Sequence, residues 1–324
     1  MGKTNVVLGI DIGGTNTVLG LVDAAGKCFL KTTISTQGTE PPEKFFKRLK
    51  VKIDSILNEG SDRFILNGIG IGAPNANYFR GTVEYPPNLC WGFVNVIDII
   101  KIDYGVPAVI TNDANAAAIG EMKFGAAKEM KDFIIITLGT GVGSGIVCNG
   151  QLVYGADGFA GEIGHTIYDP YGRQCGCGRK GCLETYASAN GIRLTVIEML
   201  KASDKKSILR GLDVCELTSK RIYEAAISCD EIAKDAFEFT GKVLGMKLAD
   251  TVAHTSPEAI VLFGGLAAAG ELLFEPVRRH MENNLLHFFR NKVKIIPSAL
   301  PEGEAAVLGA SALIWNELEK FSEN

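Results

Sequence analysis

A strand, a glycine-rich turn and a second strand occur twice in this chain, 126 residues apart, and nothing else in the sequence limits the fold as much. In the first copy, β-branched runs at 5–10 and 17–22 flank Asp11-Ile12-Gly13-Gly14-Thr15-Asn16. In the second, Phe133-Ile134-Ile135-Ile136-Thr137-Leu138 leads into Gly139-Thr140-Gly141-Val142-Gly143. Each copy reads as a β-hairpin with a turn richer in glycine than a hairpin needs. The spacing is too long for a solenoid unit, so it reads as two homologous halves, each offering a hairpin turn to a shared ligand. A third junction, Ile260-Val261-Leu262-Phe263-Gly264-Gly265, precedes a helical pattern at 271–284. The 38 glycines among 324 residues fit a chain whose backbone is approached closely at several places.

Between the copies, 42–59 carries apolar residues at helical spacing, opened by prolines and closed by Gly60. Strands are predicted at 66–71 and 108–111, an alanine-rich helix at 113–124, and long helices at 231–254 and 304–319. The length corresponds to about two domains. The expected division is a first α/β lobe over 1–115, rejoined by the C-terminal helix 303–324, and a second over 116–302. Residues 133–156 contain no Asp, Glu, Lys or Arg, but their six glycines and interspersed polar residues mark two buried strands and a loop rather than a membrane span. Thirty-three basic against 37 acidic residues, net charge −4, give no basic field for nucleic acid or an anionic membrane. No signal-peptide pattern precedes the first strand, so a cytoplasmic protein is expected.

Glycine turns let several backbone N–H groups point at a phosphate without obstruction. The common nucleotide fingerprints are absent, and both turns sit between strands instead. Asp11, a carboxylate at a strand end beside such a turn, has the chemistry Mg²⁺ requires. Of the eight cysteines, Cys28, Cys90, Cys148, Cys215 and Cys229 are scattered and are expected to pack mostly as small apolar residues. Cys175, Cys177 and Cys182 with His165 form H-x₉-C-x-C-x₄-C, a Cys₃His set that closes around a structural Zn²⁺. Asn112 and Asp113 open the alanine-rich helix and on their own read equally as an N-cap. Glu162 and His165 share Gly161-Glu162-Ile163-Gly164-His165, and Glu184 follows the last cysteine by two residues. Zinc would therefore bring Glu184 near Glu162. Convergent acceptors with few cations suit a neutral polyol, and a site that bonds each hydroxyl discriminates strongly.

Five ordered motifs carry a resemblance: Asp11-Ile-Gly-Gly-Thr-Asn16, Thr111-Asn-Asp-Ala-Asn115, Leu138-Gly-Thr-Gly-Val-Gly143, Gly161-Glu-Ile-Gly-His165 and Cys175-Gly-Cys-Gly-Arg-Lys-Gly-Cys-Leu-Glu184. The chain resembles the ROK family of repressors and sugar kinases, over nearly its whole length, and within it is most similar to bacterial glucokinases. The resemblance implies an actin/hexokinase-like ATPase fold with duplicated ribonuclease H-like lobes and a cleft between them. It implies transfer of the ATP γ-phosphate to the 6-hydroxyl of a hexose, glucose first, with Asp113 as general base. Asn88, Asn112, Asp113, Glu162, His165 and Glu184 would bind the sugar. Asp11, Gly13, Gly14, Thr15, Asn16, Gly139, Thr140 and Gly141 would hold ATP phosphates and Mg²⁺, and Gly264 and Gly265 would lie against the adenosine. His165, Cys175, Cys177 and Cys182 would ligate Zn²⁺, and a homodimer is implied. Family glucokinases commonly read Gly-x-Pro-Gly and then Val-Asp where this chain has Gly72-Ala73-Pro74-Asn75-Ala76-Asn77-Tyr78. That departure leaves an N-acetylglucosamine, N-acetylmannosamine or dual-specificity kinase as the alternative. A sugar-responsive repressor of the family would carry a helix-turn-helix ahead of the first turn, where only four residues precede the strand.

Overall fold

A computed structural model describes residues 2–301 and 303–322. The ends of the two expected lobes at 1, 302 and 323–324 lie outside the described residues. The chain forms two compact units, one of residues 1–130, 152–160 and 299–324 and one of residues 131–151 and 161–298.

In the first unit, β1 (Thr4–Ile12), β2 (Asn16–Val22) and β3 (Cys28–Ser35) form an antiparallel meander. The helix α1 (Pro42–Gly60) begins with proline at its first position and buries Phe45, Leu49, Ile53 and Ile56 along one stripe. Next come β4 (Phe64–Gly72), the small sheet β5 (Ala76–Asn77), β6 (Thr82–Glu84) and β7 (Phe93–Asn95), then α2 (Val96–Tyr104), β8 (Ala108–Thr111) and α3 (Asp113–Phe124). The main sheet has the order β3-β2-β1-β4-β8, with β1, β4 and β8 parallel. Val6, Leu8 and Ile10 of β1 are fully buried in its core.

The second unit repeats that plan. β9 (Phe133–Leu138), β10 (Val142–Cys148) and β11 (Gln151–Leu152) come first, followed by the cysteine loop, α4 (Glu184–Ala187), α5 (Ala189–Ala202), α6 (Ser219–Ile227) and α7 (Glu231–Thr255). Then come β12 (Ala259–Phe263), α8 (Glu271–Asn284) and β13 (Lys294–Pro297). The sheet order is β11-β10-β9-β12-β13, with β9 and β10 antiparallel and β9, β12 and β13 parallel. Position for position this is the first sheet again, as duplicated ribonuclease H-like halves require.

The last helix, α9 (Ala305–Ser322), packs on β1, β4 and α3 of the first unit. Ile119 of α3 meets Ala312 and Leu313 of α9. A division at 115 would cut α3 away from that contact, so residues 116–130 go with the first unit. Residues 152–160 do likewise, because Tyr154 stacks on Tyr78 at 4.1 Å and Asn77 Nδ2 donates to the Asp157 carbonyl at 2.5 Å. The scattered cysteines also differ from expectation. Cys90, Cys148, Cys215 and Cys229 are exposed and only Cys28 is half-buried, because they fall at strand ends, turns and loops rather than on core faces. Among the described residues, no helix is long and apolar enough to cross a membrane.

Candidate functional site

In the first unit the chemistry gathers at the ends of β1, β4 and β8. Asp11 lies one residue before the end of β1 and pairs across the sheet with Gly72, the last residue of β4. A Cβ added at Gly72 would stand 3.5 Å from Asp11 Oδ1 and 3.9 Å from Asp113 Cα, so this glycine lies between the two acidic residues. Burial, and then the neighbouring Asp113, push the Asp11 carboxyl up to about 7. Burial also raises the Asp113 carboxyl above the usual range, although its side chain remains reachable from solvent at the head of α3. Surrounding protein can desolvate a group that a small ligand still reaches. Asn112 caps α3 by accepting from the Asn115 N–H at 2.7 Å, and Asp113 Oδ1 accepts from the Ala114 N–H at 2.8 Å.

The turn after β1 closes through the Gly13 N–H to the Asn16 carbonyl at 3.0 Å. Thr36 fixes it from outside: its hydroxyl donates to the Gly13 carbonyl at 2.7 Å and its N–H to the Thr15 carbonyl at 2.8 Å. No local pattern marks Thr36, which sequence reading missed. Thr15 and Asn16 are exposed. Asn88 packs so closely over Gly14 that a Cβ there would fall 2.9 Å from its own Cβ. An expected sugar residue thus sits on an expected phosphate turn.

The departing segment also has an explanation. Asn75 takes φ 51°, the left-handed region where the family pattern has glycine, and asparagine is among the few other residues that accept it. Its Nδ2 donates to the carbonyls of Glu84 and Tyr85 at 3.2 and 3.1 Å, which ties the segment to the end of β6.

In the second unit, the turn 139–141 closes through the Gly139 N–H to the Gly141 carbonyl at 3.1 Å. Gly139 and Thr140 are exposed, and a Cβ at Gly139 or Gly265 would meet nothing within 4 Å. Gly264, at φ 103°, packs on the Leu138 carbonyl and so holds the third junction beside this turn. Gly141 faces Glu184, whose Oε2 would lie 2.6 Å from a Cβ at that position. Only glycine lets the turn and the carboxylate approach this closely.

The ligand atoms of His165, Cys175, Cys177 and Cys182 all lie within 4.8 Å of one another. Cys177 and Cys182 Sγ are 3.6 Å apart, and Cys175 Sγ is 3.7 Å from His165 Nδ1. A tetrahedron with metal–sulfur bonds of about 2.3 Å needs sulfurs roughly 3.8 Å apart, so the four residues fit a closed zinc site. The imidazole stands between the two carboxylates, its Nδ1 3.7 Å from Glu184 Oε1 and its Nε2 4.0 Å from Glu162 Oε2. Ser144 holds the Glu162 segment from beneath, donating to the Gly161 carbonyl and accepting from the Ile163 N–H. The expected residues therefore form two groups, Asp11, Gly13, Gly14, Asn88 and Asp113 in one unit and Gly141, Glu162, His165, Glu184 and the cysteines in the other.

The ROK family profile matches residues 7–317. The chain is 33% identical over 323 residues to a glucokinase of Halalkalibacterium halodurans, covering 98% of each. A xylose repressor of Caldicellulosiruptor bescii is 30% identical over 98% of this chain and 80% of its own length. Among solved structures, a ROK family glucokinase from Streptomyces griseus in complex with glucose and AMPPNP superposes with a TM-score of 0.80 at 34% identity, covering 95% of this chain and 98% of that one.

Proposed function

The chain belongs to the ROK family, and we propose that it is an ATP-dependent hexose kinase that phosphorylates the 6-hydroxyl of glucose with Asp113 as general base. The observation that carries this reading is the pair Asp11 and Asp113 flanking Gly72, each with a carboxyl raised above its usual range. A sugar sensor needs acceptors for hydroxyls but neither a base nor a metal carboxylate, whereas phosphoryl transfer needs both.

In this reading Asn112, Asp113, Glu162, His165 and Glu184 bind the sugar hydroxyls, with Asn88 at its edge. Asp113 accepts the 6-hydroxyl proton as that oxygen attacks the γ-phosphorus in line, the bond to the β-γ bridging oxygen breaks, and ADP leaves. The turn residues Gly13, Gly14, Thr15 and Asn16 and Gly139, Thr140 and Gly141 hold the phosphates through N–H groups other than those of Gly13 and Gly139, which close the turns, while Gly264 and Gly265 lie against the adenosine. Asp11 would hold Mg²⁺, which when bound neutralises charge on the transferred phosphoryl. His165, Cys175, Cys177 and Cys182 would hold a structural Zn²⁺ through Nδ1 and three thiolates, leaving Nε2 to the sugar. The working form is a cytoplasmic homodimer that does not bind nucleic acid.

The test is ADP release from ATP and Mg²⁺ with glucose, mannose, fructose, N-acetylglucosamine and N-acetylmannosamine in parallel. Glucose well ahead supports the reading. An acetamido sugar ahead keeps the kinase and replaces its substrate. No turnover with any sugar, together with retained sugar binding and a gel shift on DNA, makes the protein a regulator.

A further inference from the structure

Arg173 lies in the loop that carries the three cysteines, and its side chain is only 10% exposed. A guanidinium has five N–H donors. Here each has an acceptor. Nε donates to Glu198 Oε1 at 2.9 Å, Nη1 to the carbonyls of Thr185 and Gly191 at 2.6 and 3.0 Å, and Nη2 to Thr195 Oγ1 and Glu198 Oε2 at 2.9 and 2.6 Å. Its flat face rests on the Tyr186 ring, 4.5 Å from the centroid. The Arg173 carbonyl accepts from the Gly181 N–H at 2.7 Å, next to Cys182. One residue therefore joins the cysteine loop to both helices that follow it.

Those helices carry two parts of the proposed site. Glu184 is the first residue of α4, and its carbonyl accepts from Ser188 Oγ, the cap of α5. The Ala189 N–H and the Asn190 side chain, in the first turn of α5, donate to the carbonyls of Gly139 and Thr140 at 2.9 and 3.1 Å. Glu184 and the 139–141 turn also meet directly at Gly141. The sugar carboxylate and the phosphate turn thus share one support.

We infer that Arg173 is a positioning residue that sets Glu184 and the Gly139–Gly141 turn together, an inference that rests on the hexose-kinase reading. Lysine has three donors radiating from one atom and cannot span the two carbonyls, the hydroxyl and the carboxylate that the planar fork reaches.

The test compares R173K, R173A, E184Q and the double variants R173K/E184Q and R173A/E184Q in the zinc-loaded full chain, with zinc content and melting temperature recorded for each. Because a small misplacement of binding groups can cost about a hundredfold, the hexose KM is expected to rise about tenfold or more in R173K, with a smaller fall in kcat and zinc retained. In the E184Q background the added effect of R173K on the hexose KM should shrink below about twofold, since the carboxylate that it positions for the sugar is gone. Full additivity in a chain whose wild type turns over hexose overturns this inference and leaves the kinase intact. A wild type without turnover overturns the kinase reading. The positioning role is then read from amide hydrogen exchange over 139–141 without substrate, where faster exchange in R173K supports it and unchanged protection overturns it. If R173A fails to fold, R173K alone decides the same comparison.

Discussion

The two hairpin turns descend from one pattern, yet they differ in length and chemistry. In the first, Ile12 pairs with Thr17 and four residues turn the chain; in the second, Leu138 pairs with Val142 and three suffice. Asp11 of the first corresponds to Thr137 of the second, 126 residues later. Thr137 Oγ1 accepts from the Gly143 N–H at 3.1 Å, so that side chain finishes its own hairpin. Asp11 instead lies across Gly72 from Asp113, and its carboxyl is raised by burial and by that neighbour. The second unit adds the cysteine loop, which supports His165 and Glu184. The same backbone turn thus occurs twice with different side chains around it, a pair of raised carboxyls in one unit and a Cys₃His set beside Glu162 and Glu184 in the other.

Asp113→Asn should break that division most severely. Turnover is expected to fall by about 10²–10⁴-fold, the usual share of a general base, while hexose affinity measured by calorimetry stays within a few-fold. Retention of most of the turnover would remove Asp113 from the role. On the other side, Cys182→Ser should lose bound metal, lower the melting temperature and weaken hexose binding, because His165 and Glu184 lose their common brace. Metal analysis beside calorimetry reads all three, and unchanged sugar affinity in a metal-free protein would sever the zinc loop from the sugar.

Asp11 sharpens the comparison through pH. Its carboxyl is raised from 3.8 to about 7, so the ligand-free folded state binds a proton more tightly than the unfolded chain. That stabilisation is complete below about pH 4 and is lost as pH rises through 7. Melting temperature across this window should therefore fall more steeply in the wild type than in Asp11→Asn, and equal slopes would count against the shift. Smaller effects are expected elsewhere. Thr137→Ala removes one hydrogen bond and should cost about 1 kcal/mol in chemical denaturation with little change in hexose KM. Asn75→Gly keeps the left-handed backbone and should change stability by less than about 1 kcal/mol and leave sugar preference unaltered. A shift in preference would assign Asn75 a specificity role.

Features written in short-range chemistry were legible without coordinates. The β-branched runs of the hairpins, the glycines, the proline that opens α1, the cap at Asn112 and the Cys₃His spacing each depend on neighbours a few residues away. So were the bounds of α3 and α8, and nearly those of α7, because long periodic or alanine-rich runs carry their own signal. Harder to read were features set by partners far along the chain. The stripe of α1 predicts a buried face, but nothing local says that residues 116–130 and 152–160 stay with the first unit. That was decided by α9 packing on α3 and by Tyr154 stacking on Tyr78. Nor does any spacing place Asn88 over Gly14, Thr36 on the Gly13 carbonyl, or Glu184 against Gly141.

The sequence by itself determined the duplicated α/β plan, the two glycine-rich turns and the Cys₃His set, because each follows from backbone conformation and residue type within a short stretch. Only the tertiary structure decided the one-residue difference between the turns, the juxtaposition of Asp11 with Asp113 across Gly72, and the saturation of Arg173. Those depend on strand register and on side chains brought together by burial across long loops, and no local propensity specifies them.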